Sequence, residues 1–218
     1  MSAADRIIKY LEENKLSTEE IGDVLGKTGL VKGVYPIVTD TYLVGKVQFF
    51  YSHSNSNWPL HEQLRELKKG HIVFVDTFFT DDYYAVFGEL VSTFIYDKCG
   101  AKGIVVNGNM RDLDGIRNRK IPVWCKGITP IGCFNIPVAE NNEIKRLDNK
   151  GKDYYDESIA VCDNSGVVII PKEQINDGFI EKMEFLAEQE RIWFDCVENK
   201  GWNTYDTVCL KKYKTDER

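Results

Sequence analysis

Two short stretches of the chain carry residue types suited to holding an anion beside a metal ion. Gly88-Glu89-Leu90 opens an amphipathic segment, and Asn107-Gly108-Asn109-Met110-Arg111-Asp112 closes the apolar run Gly103-Ile104-Val105-Val106. Backbone N–H groups at a helix start, aided by the helix dipole, can hold a carboxylate or phosphate, and a glycine there permits close approach. An arginine grips a carboxylate with a planar fork, while an aspartate beside it can ligate a hard divalent cation. The apolar run reads as a buried strand, and a pair just past its end lies where open α/β sheets bind ligands. Arg111 and Asp112 therefore suit a small oxoacid together with Mg²⁺. Each feature also has a plain structural reading: Gly88 as punctuation before a helix, Arg111-Asp112 as a surface or loop-stabilising ion pair. Asp76 could face the same crevice or cap a helix, and Asp81 and Asp82 could serve as N-caps.

Other chemistries find no support. His53, His61 and His71 are not at metal-ligand spacing, and the chain has no Gly-x-Ser-x-Gly elbow or phosphate-binding loop. Six cysteines (Cys99, Cys125, Cys133, Cys162, Cys196, Cys209) are scattered without a Cys-x-x-Cys pair, which reads as reduced, mostly buried thiols. The formal net charge is -6, and no long basic stretch is interleaved with aromatics, so direct nucleic-acid binding is not expected. No apolar run approaches the roughly 20 residues that span a bilayer, and the first residues do not form a signal-peptide core. A soluble, cytoplasmic protein with no membrane role is expected. With 218 residues, 43% of them hydrophobic, one domain is expected over 1–198, followed by a polar tail or docking arm over 199–218.

The elements that must position these residues follow from periodicity. Ile7, Ile8 and Leu11 mark an N-terminal helix, and Ser17-x-x-Glu20 is a capping box that starts a second. Lys46–Tyr51 reads as a strand, followed by the polar loop Ser52–Asn57 and a helix carrying Leu60, Leu64 and Leu67. His71–Asp76 is a β-branched strand. Val86, Phe87, Leu90, Val91, Phe94 and Ile95 then recur at helical spacing, and Ile104–Val106 returns as a strand, giving a right-handed βαβ unit in a locally parallel sheet. Further strands are expected at Ile121–Trp124, Cys133–Ile136 and Ile159–Cys162 with no helix between them. Asp163-Asn164-Ser165-Gly166 turns a hairpin into Val167–Ile170, and a long helix bearing Phe179, Met183 and Leu186 follows.

The order of these blocks resembles the RraA-like family, which includes the regulator of ribonuclease E activity A and the 4-hydroxy-4-methyl-2-oxoglutarate/4-carboxy-4-hydroxy-2-oxoadipate aldolases. Glu20–Gly26 resembles its early Ser-Asp-Ala-Leu block, and Lys69–Asp76 its Pro-Gly-Asp-Val-Leu-Val-Val-Asp strand. Gly88-Glu89-Leu90 resembles its Gly-Glu/Asp-Leu loop, and Gly103–Asp112 is similar to Gly-Val-Val-Val-Asp-Gly-Ala-Val-Arg-Asp. Val161–Pro171 resembles its closing Ala-Asp-x-x-Gly-Val-Val-Val-Val-Pro. Departures are specific: the spacing from Glu89 to Arg111 is one residue longer than the family pattern, His71 stands where the family has Asp, and Gly115 stands where it carries an acid.

The resemblance implies an α/β domain of the swivelling type, with a central mixed β-sheet flanked by helices, assembled as a homotrimer or homohexamer with sites between subunits. It implies that amides around Gly88, Glu89, Leu90 and Val91 hold the pyruvyl carboxylate of a small 2-oxoacid, that Arg111 grips the same end, and that Asp112 anchors Mg²⁺ or Mn²⁺. Glu89 is the candidate for moving a proton or orienting a water. The expected activity is that of a metal-dependent aldolase or oxaloacetate decarboxylase working through a pyruvate enolate. The alternatives are a non-catalytic interaction protein that binds a ribonuclease or helicase, and a small-molecule sensor using the same pocket.

Overall fold

The computed structural model of the chain describes residues 1–214. Seven strands form one mixed sheet: β1 (Tyr35–Pro36), β2 (Leu43–His53), β3 (Ile72–Phe78), β4 (Gly103–Met110), β5 (Val123–Ile128), β6 (Ile159–Cys162) and β7 (Val167–Ile170), in the order β1-β5-β4-β3-β2-β6-β7. β2, β3, β4 and β5 run parallel, whereas β6 pairs antiparallel with the first half of β2 and with β7. The helices are α1 (Ala3–Asn14), α2 (Thr18–Val24), α3 (Trp58–Gln63), α4 (Glu89–Thr93), α5 (Leu113–Asn118), α6 (Asn142–Tyr155) and α7 (Asp177–Phe194).

One stretch of chain joins the two edges of this sheet. Val31 N donates to Val167 O and Ile169 N to Gly29 O at the β7 edge, and six residues later Ile37 N donates to Val123 O at the β5 edge. Gly29 has φ +86°, and a Cβ there would lie 2.6 Å from Ile169 O, so this strap requires a glycine. Trp124, fully buried, donates its indole N–H to Asp163 O at 2.7 Å and ties β5 to the β6–β7 hairpin. The sheet therefore curls into a near-barrel.

Strand alternation then sorts the apolar residues into three layers. Val47, Phe49, Phe74, Val105, Trp124, Ala160, Val167 and Ile169 fill the interior. Phe50, Val73, Val75, Ile104, Val106 and Val123 face outward against α3, α4 and α5, among them Leu60, Leu64 and Ile116. Ile159, Val161, Val168 and Ile170 face outward on the other side, against Ile7, Leu11, Ile21, Phe179 and Met183 of α1, α2 and α7. Capping boxes at Ser2/Asp5 and Ser17/Glu20 fix the starts of α1 and α2.

The structure departs from expectation at two elements. Cys133–Ile136 is not a strand: Phe134 makes single backbone bonds to Asn55 and Asn57 and is half exposed. A helix, α6, lies between β5 and β6 where none was expected; its polar sequence hides it, and Asn141 Oδ1 caps it by accepting from Ile144 N at 2.9 Å. α4 begins at Glu89, as Gly88-Glu89-Leu90 indicated, and residues 85–87 before it form backbone bonds to other segments. Beyond α7 the chain packs back on the helix. The Tyr213 hydroxyl donates to Gln189 at 3.0 Å and accepts from Trp193 at 3.3 Å, so within 199–214 the segment is an arm docked on its own chain, while 215–218 lie outside the described residues. No helix among the described residues is long and apolar enough to cross a membrane, and the six cysteines are free thiols.

α6 seats against the barrel through Gly151, where a Cβ would run into the ring of Phe49. Phe49 stacks on Tyr155 and Phe74 at centroid separations of 5.6 and 6.2 Å and has nowhere to move. Gly151→Ala gains up to about 1 kcal/mol of helix propensity but overpacks a filled core, a cost of about 1–3 kcal/mol. Net destabilisation of about 1–2 kcal/mol is expected in denaturant titration, and an unchanged or raised midpoint would show that the ring yields.

Candidate active site

The carboxyl ends of the parallel strands set the candidate site. β4 carries a register shift against β5 between Val106 and Asn109, and bulges of this kind re-aim the side chains that follow. Beside it, residues 85–87 form a short ladder: Ala85 N donates to Ile131 O at 2.7 Å, Cys133 N to Ala85 O at 2.8 Å, Val86 N to Asn109 O at 2.8 Å and Arg111 N to Phe87 O at 3.1 Å. The ladder brings Gly88-Glu89 alongside Arg111-Asp112, although 22 residues separate Glu89 from Arg111 in a pattern that sequence alone leaves open.

Asp112 stands between β4 and α5 with φ 60° and ψ 43°, the left-handed region that aspartate tolerates better than most residues. Its Oδ2 accepts from the backbone N–H of Glu89 at 3.0 Å and lies 3.7 Å from Arg111 Nε. Gly88, the residue before α4, has no side chain to cap the helix, and Asp112 supplies the acceptor from the neighbouring loop. Glycine is required: a Cβ at Gly88 would run into Asp112 Oδ2 and lie 2.7 Å from Arg111 Cγ.

Glu89 turns away from Asp112. Arg119 Nε donates to its Oε1 at 2.6 Å, and the pair raises the Arg119 pKa above its already high value. Both side chains are exposed enough that this pair orients more than it stabilises. Gly115 makes room, since a Cβ there would run into Glu89 Oε2. Gly132 does the same for Arg111, whose Cζ would lie 3.0 Å from an added Cβ. Burial pushes the Cys133 thiol up to about 11, against the opposing pull of Arg111, so it stays protonated at neutral pH and is no nucleophile.

The structure thus brings Gly88, Glu89, Arg111 and Asp112 together. Leu90 is 83% exposed at the start of α4, with Val91 partly buried beside it. Asp76 is not part of this group. Its Oδ1 accepts from Thr77 N and from Asn107 Nδ2, and its residue lines a cavity with α6 instead. Asp81 caps no helix, its carboxylate accepting from Asn55 Nδ2. Arg119 and Gly132 were not singled out from sequence, and Gly115 was noted only as a departure from the family pattern. Gly115 and Arg119 are four residues apart, on one face of α5 and its end, a spacing that could have revealed them.

Among the described residues, no three His, Cys, Asp or Glu side chains cluster as a metal cage. Asp112 is a single carboxylate whose contacts both fall on Oδ2. That donor set fits Mg²⁺ or Mn²⁺, which keep most of their waters and take one or two carboxylates plus substrate oxygens, and does not fit a structural zinc.

The family model for RraA-like proteins, described as Aldolase/RraA, matches residues 17–169. A Halalkalibacterium halodurans protein provisionally named as a 4-hydroxy-4-methyl-2-oxoglutarate aldolase is 26% identical over 167 residues, covering 73% of this chain and 74% of that protein. An uncharacterized protein from Pseudomonas syringae pv. tomato shares the fold at a TM-score of 0.69 and 18% identity, over 95% of this chain and 94% of that one. Streptomyces coelicolor RraAS2, described as an unusual member of the RNase ES inhibitor RraA family, shares it at 0.61 and 18%, over 85% of this chain and 92% of that one. At these identities the structural matches speak for the fold alone.

Removing the Asp112 acceptor leaves the Glu89 amide unbonded at a helix start. Asp112→Ala should cost about 0.5–2 kcal/mol, whereas Asp112→Asn, which keeps an acceptor oxygen, should cost a few tenths. Equal losses for the two variants in denaturant titration would show that the cap does not matter.

Proposed function

The chain belongs to the RraA-like family (Aldolase/RraA), and from that premise we propose that it is a divalent-metal-dependent carbon-carbon lyase acting on small 2-oxo carboxylic acids, as an aldolase, an oxaloacetate decarboxylase or both. The observation that carries this reading is the convergence of Arg111, Asp112 and the start of α4, through the bond from Glu89 N to Asp112 Oδ2.

In this reading Asp112 would hold Mg²⁺ or Mn²⁺, directly or through water, and the cation would supply an electron sink for charge developing on the 2-oxoacid. Arg111 binds the substrate carboxylate with its guanidinium and stabilises negative charge as the carbon-carbon bond breaks toward an enolate. The same residues serve retro-aldol cleavage and loss of CO₂, because both leave the electron pair on the carbon next to the 2-oxo group. The Glu89 amide is engaged by Asp112, so the amides of Leu90 and Val91, in the first turn of α4 where helical partners are lacking, are the ones left for the substrate carboxylate. Glu89, held by Arg119, would orient a water rather than roam as a base. Exposed Leu90 and Phe94 beside the site favour completion by a neighbouring copy in a homotrimer or homohexamer.

The other reading, a non-catalytic regulator of a ribonuclease, takes support from the description of the Thermus RraA neighbour as an RNA-processing inhibitor, a structure with TM-score 0.55 and 20% identity over 72% of this chain and 93% of that one. In that reading Asp112 serves only to cap α4, beside Arg111.

Purified protein with Mg²⁺ or Mn²⁺ is expected to release pyruvate from oxaloacetate or 4-hydroxy-4-methyl-2-oxoglutarate, to stop on addition of EDTA, and to lose about 100-fold or more of its rate on Asp112→Asn or Arg111→Ala. Coupled lactate dehydrogenase detects the pyruvate. Metal-independent or absent turnover on every 2-oxoacid tried, with retention of ribonuclease components in a pull-down, would replace the lyase by the regulator.

A further inference from the structure

A cavity of about 390 Å³ opens between the strap at Gly29, Leu30 and Val31, the end of β3 at Asp76 and Phe78, Ile169 of β7, and the face of α6 that carries Leu147, Lys150, Tyr154 and Tyr155. It is continuous with the barrel interior, where Val31, Phe78 and Ile169 belong to the same cluster of buried side chains. It shares no lining residue with the Arg111-Asp112 site.

Its walls are mostly apolar and aromatic, with one carboxylate at the end of β3 and one lysine, Lys150, on α6. Asp76 is fixed through one oxygen: Oδ1 accepts from Thr77 N at 2.8 Å and from Asn107 Nδ2 at 2.9 Å, which leaves Oδ2 free for another donor. No lysine, arginine or histidine among the described residues forms an ion pair with it, Lys150, which also lines the cavity, included. Tyr155 does not replace a cation. Its phenol is pushed well above its ordinary value, by burial first and by the Asp76 charge second, and Tyr154 packs edge-on against it at 4.8 Å. A carboxylate lining a mostly apolar space with no ion-pair partner favours a cationic one. Tyr155 is stacked on Phe74 at 3.9 Å and serves as wall, whereas aromatic rings such as those of Phe78 and Tyr154 attract the same kind of charge, and a volume near the lower end for ligand pockets suits a small molecule.

We propose that this cavity is a second binding site, for a small organic ammonium ion with an apolar body, whose charged group bonds Asp76 Oδ2 while its body packs against Phe78, Leu147, Tyr154 and Tyr155. The proposal is independent of the lyase reading, because none of its residues serves that site. It also accounts for a strand-end aspartate that faces away from the Arg111 crevice.

The test uses 2-phenylethylammonium as probe and 3-phenylpropionate as its anionic counterpart, each titrated into the full-length protein and followed by calorimetry and by amide chemical shifts. Expected are saturable binding of the ammonium with shifts confined to residues around 29–31, 76–78 and 147–155, no saturable binding of the carboxylate, and unaltered ammonium affinity in Arg111→Ala. Asp76→Asn, whose amide oxygen can still accept from Thr77 and Asn107, should weaken the ammonium at least tenfold. Leu147→Trp, which fills the cavity and leaves the charge in place, should abolish binding. The proposal is overturned if the ammonium does not saturate, if both variants bind as the parent does, or if the shifts and the loss of affinity follow Arg111 instead.

Discussion

Closure of the sheet by one short strap is the constraint on which the rest of the molecule depends. A seven-stranded open sheet would leave β1 and β7 as unpaired edges and would offer its inner face to water. Here residues 29–37 bond to β7 at one end and β5 at the other, and Trp124 bonds across to Asp163. Only then does the inner set of Phe49, Phe74, Val105 and Ile169 become an interior rather than a surface. The outer layers follow, because every second residue of the same strands must be covered from outside, and the helices do so.

Closure also sets where chemistry can occur. Parallel β2 to β5 end together, so the loops after β3 and β4 meet at one rim. At that rim two neighbouring aspartates face different ways. Asp76 stands on the inward register of β3, below the loops, and lines the α6 cavity. Asp112 follows a register shift and a left-handed turn and reaches the start of α4. One residue of register decides which space a strand-end carboxylate enters.

Much of this was legible in the sequence where the signal is local. The runs at 72–75 and 103–106 are apolar because they are covered on both faces, and Ser17-x-x-Glu20 is a reciprocal cap that needs no tertiary partner. α6 was not legible: its apolar face is sparse, with Ile144, Leu147 and Tyr155 set in a mostly polar sequence, and its glycine reads as a breaker when it is in fact the contact that admits Phe49. Cys133–Ile136 has strand composition, but its apolar side chains at Phe134 and Ile136 are half exposed and its backbone bonds go to separate loops. The pairing of Arg111 and Asp112 could be read from adjacency. Their meeting with Glu89 depends on the ladder at 85–87, which no local pattern encodes.

The departure at Gly115 makes physical sense once Glu89 is seen in place. A side chain at 115 would begin where the Glu89 carboxylate ends, so an acid at 115 and this conformation of glutamate at 89 exclude one another. The chain has the glutamate, whose extra methylene over aspartate lets it reach α5, and it has Arg119 one turn beyond Gly115 to receive it at 2.6 Å. A negative charge therefore stands beside α5 although α5 does not carry it at that position; α4 delivers it. Because Glu89 follows Gly88, and Gly88 must stay small for Asp112 to reach the same helix start, the two glycines act as a pair. One lets the Asp112 carboxylate approach α4, the other lets the Glu89 carboxylate leave it, and together they keep the two acids on separate basic partners, Arg111 and Arg119, rather than against each other.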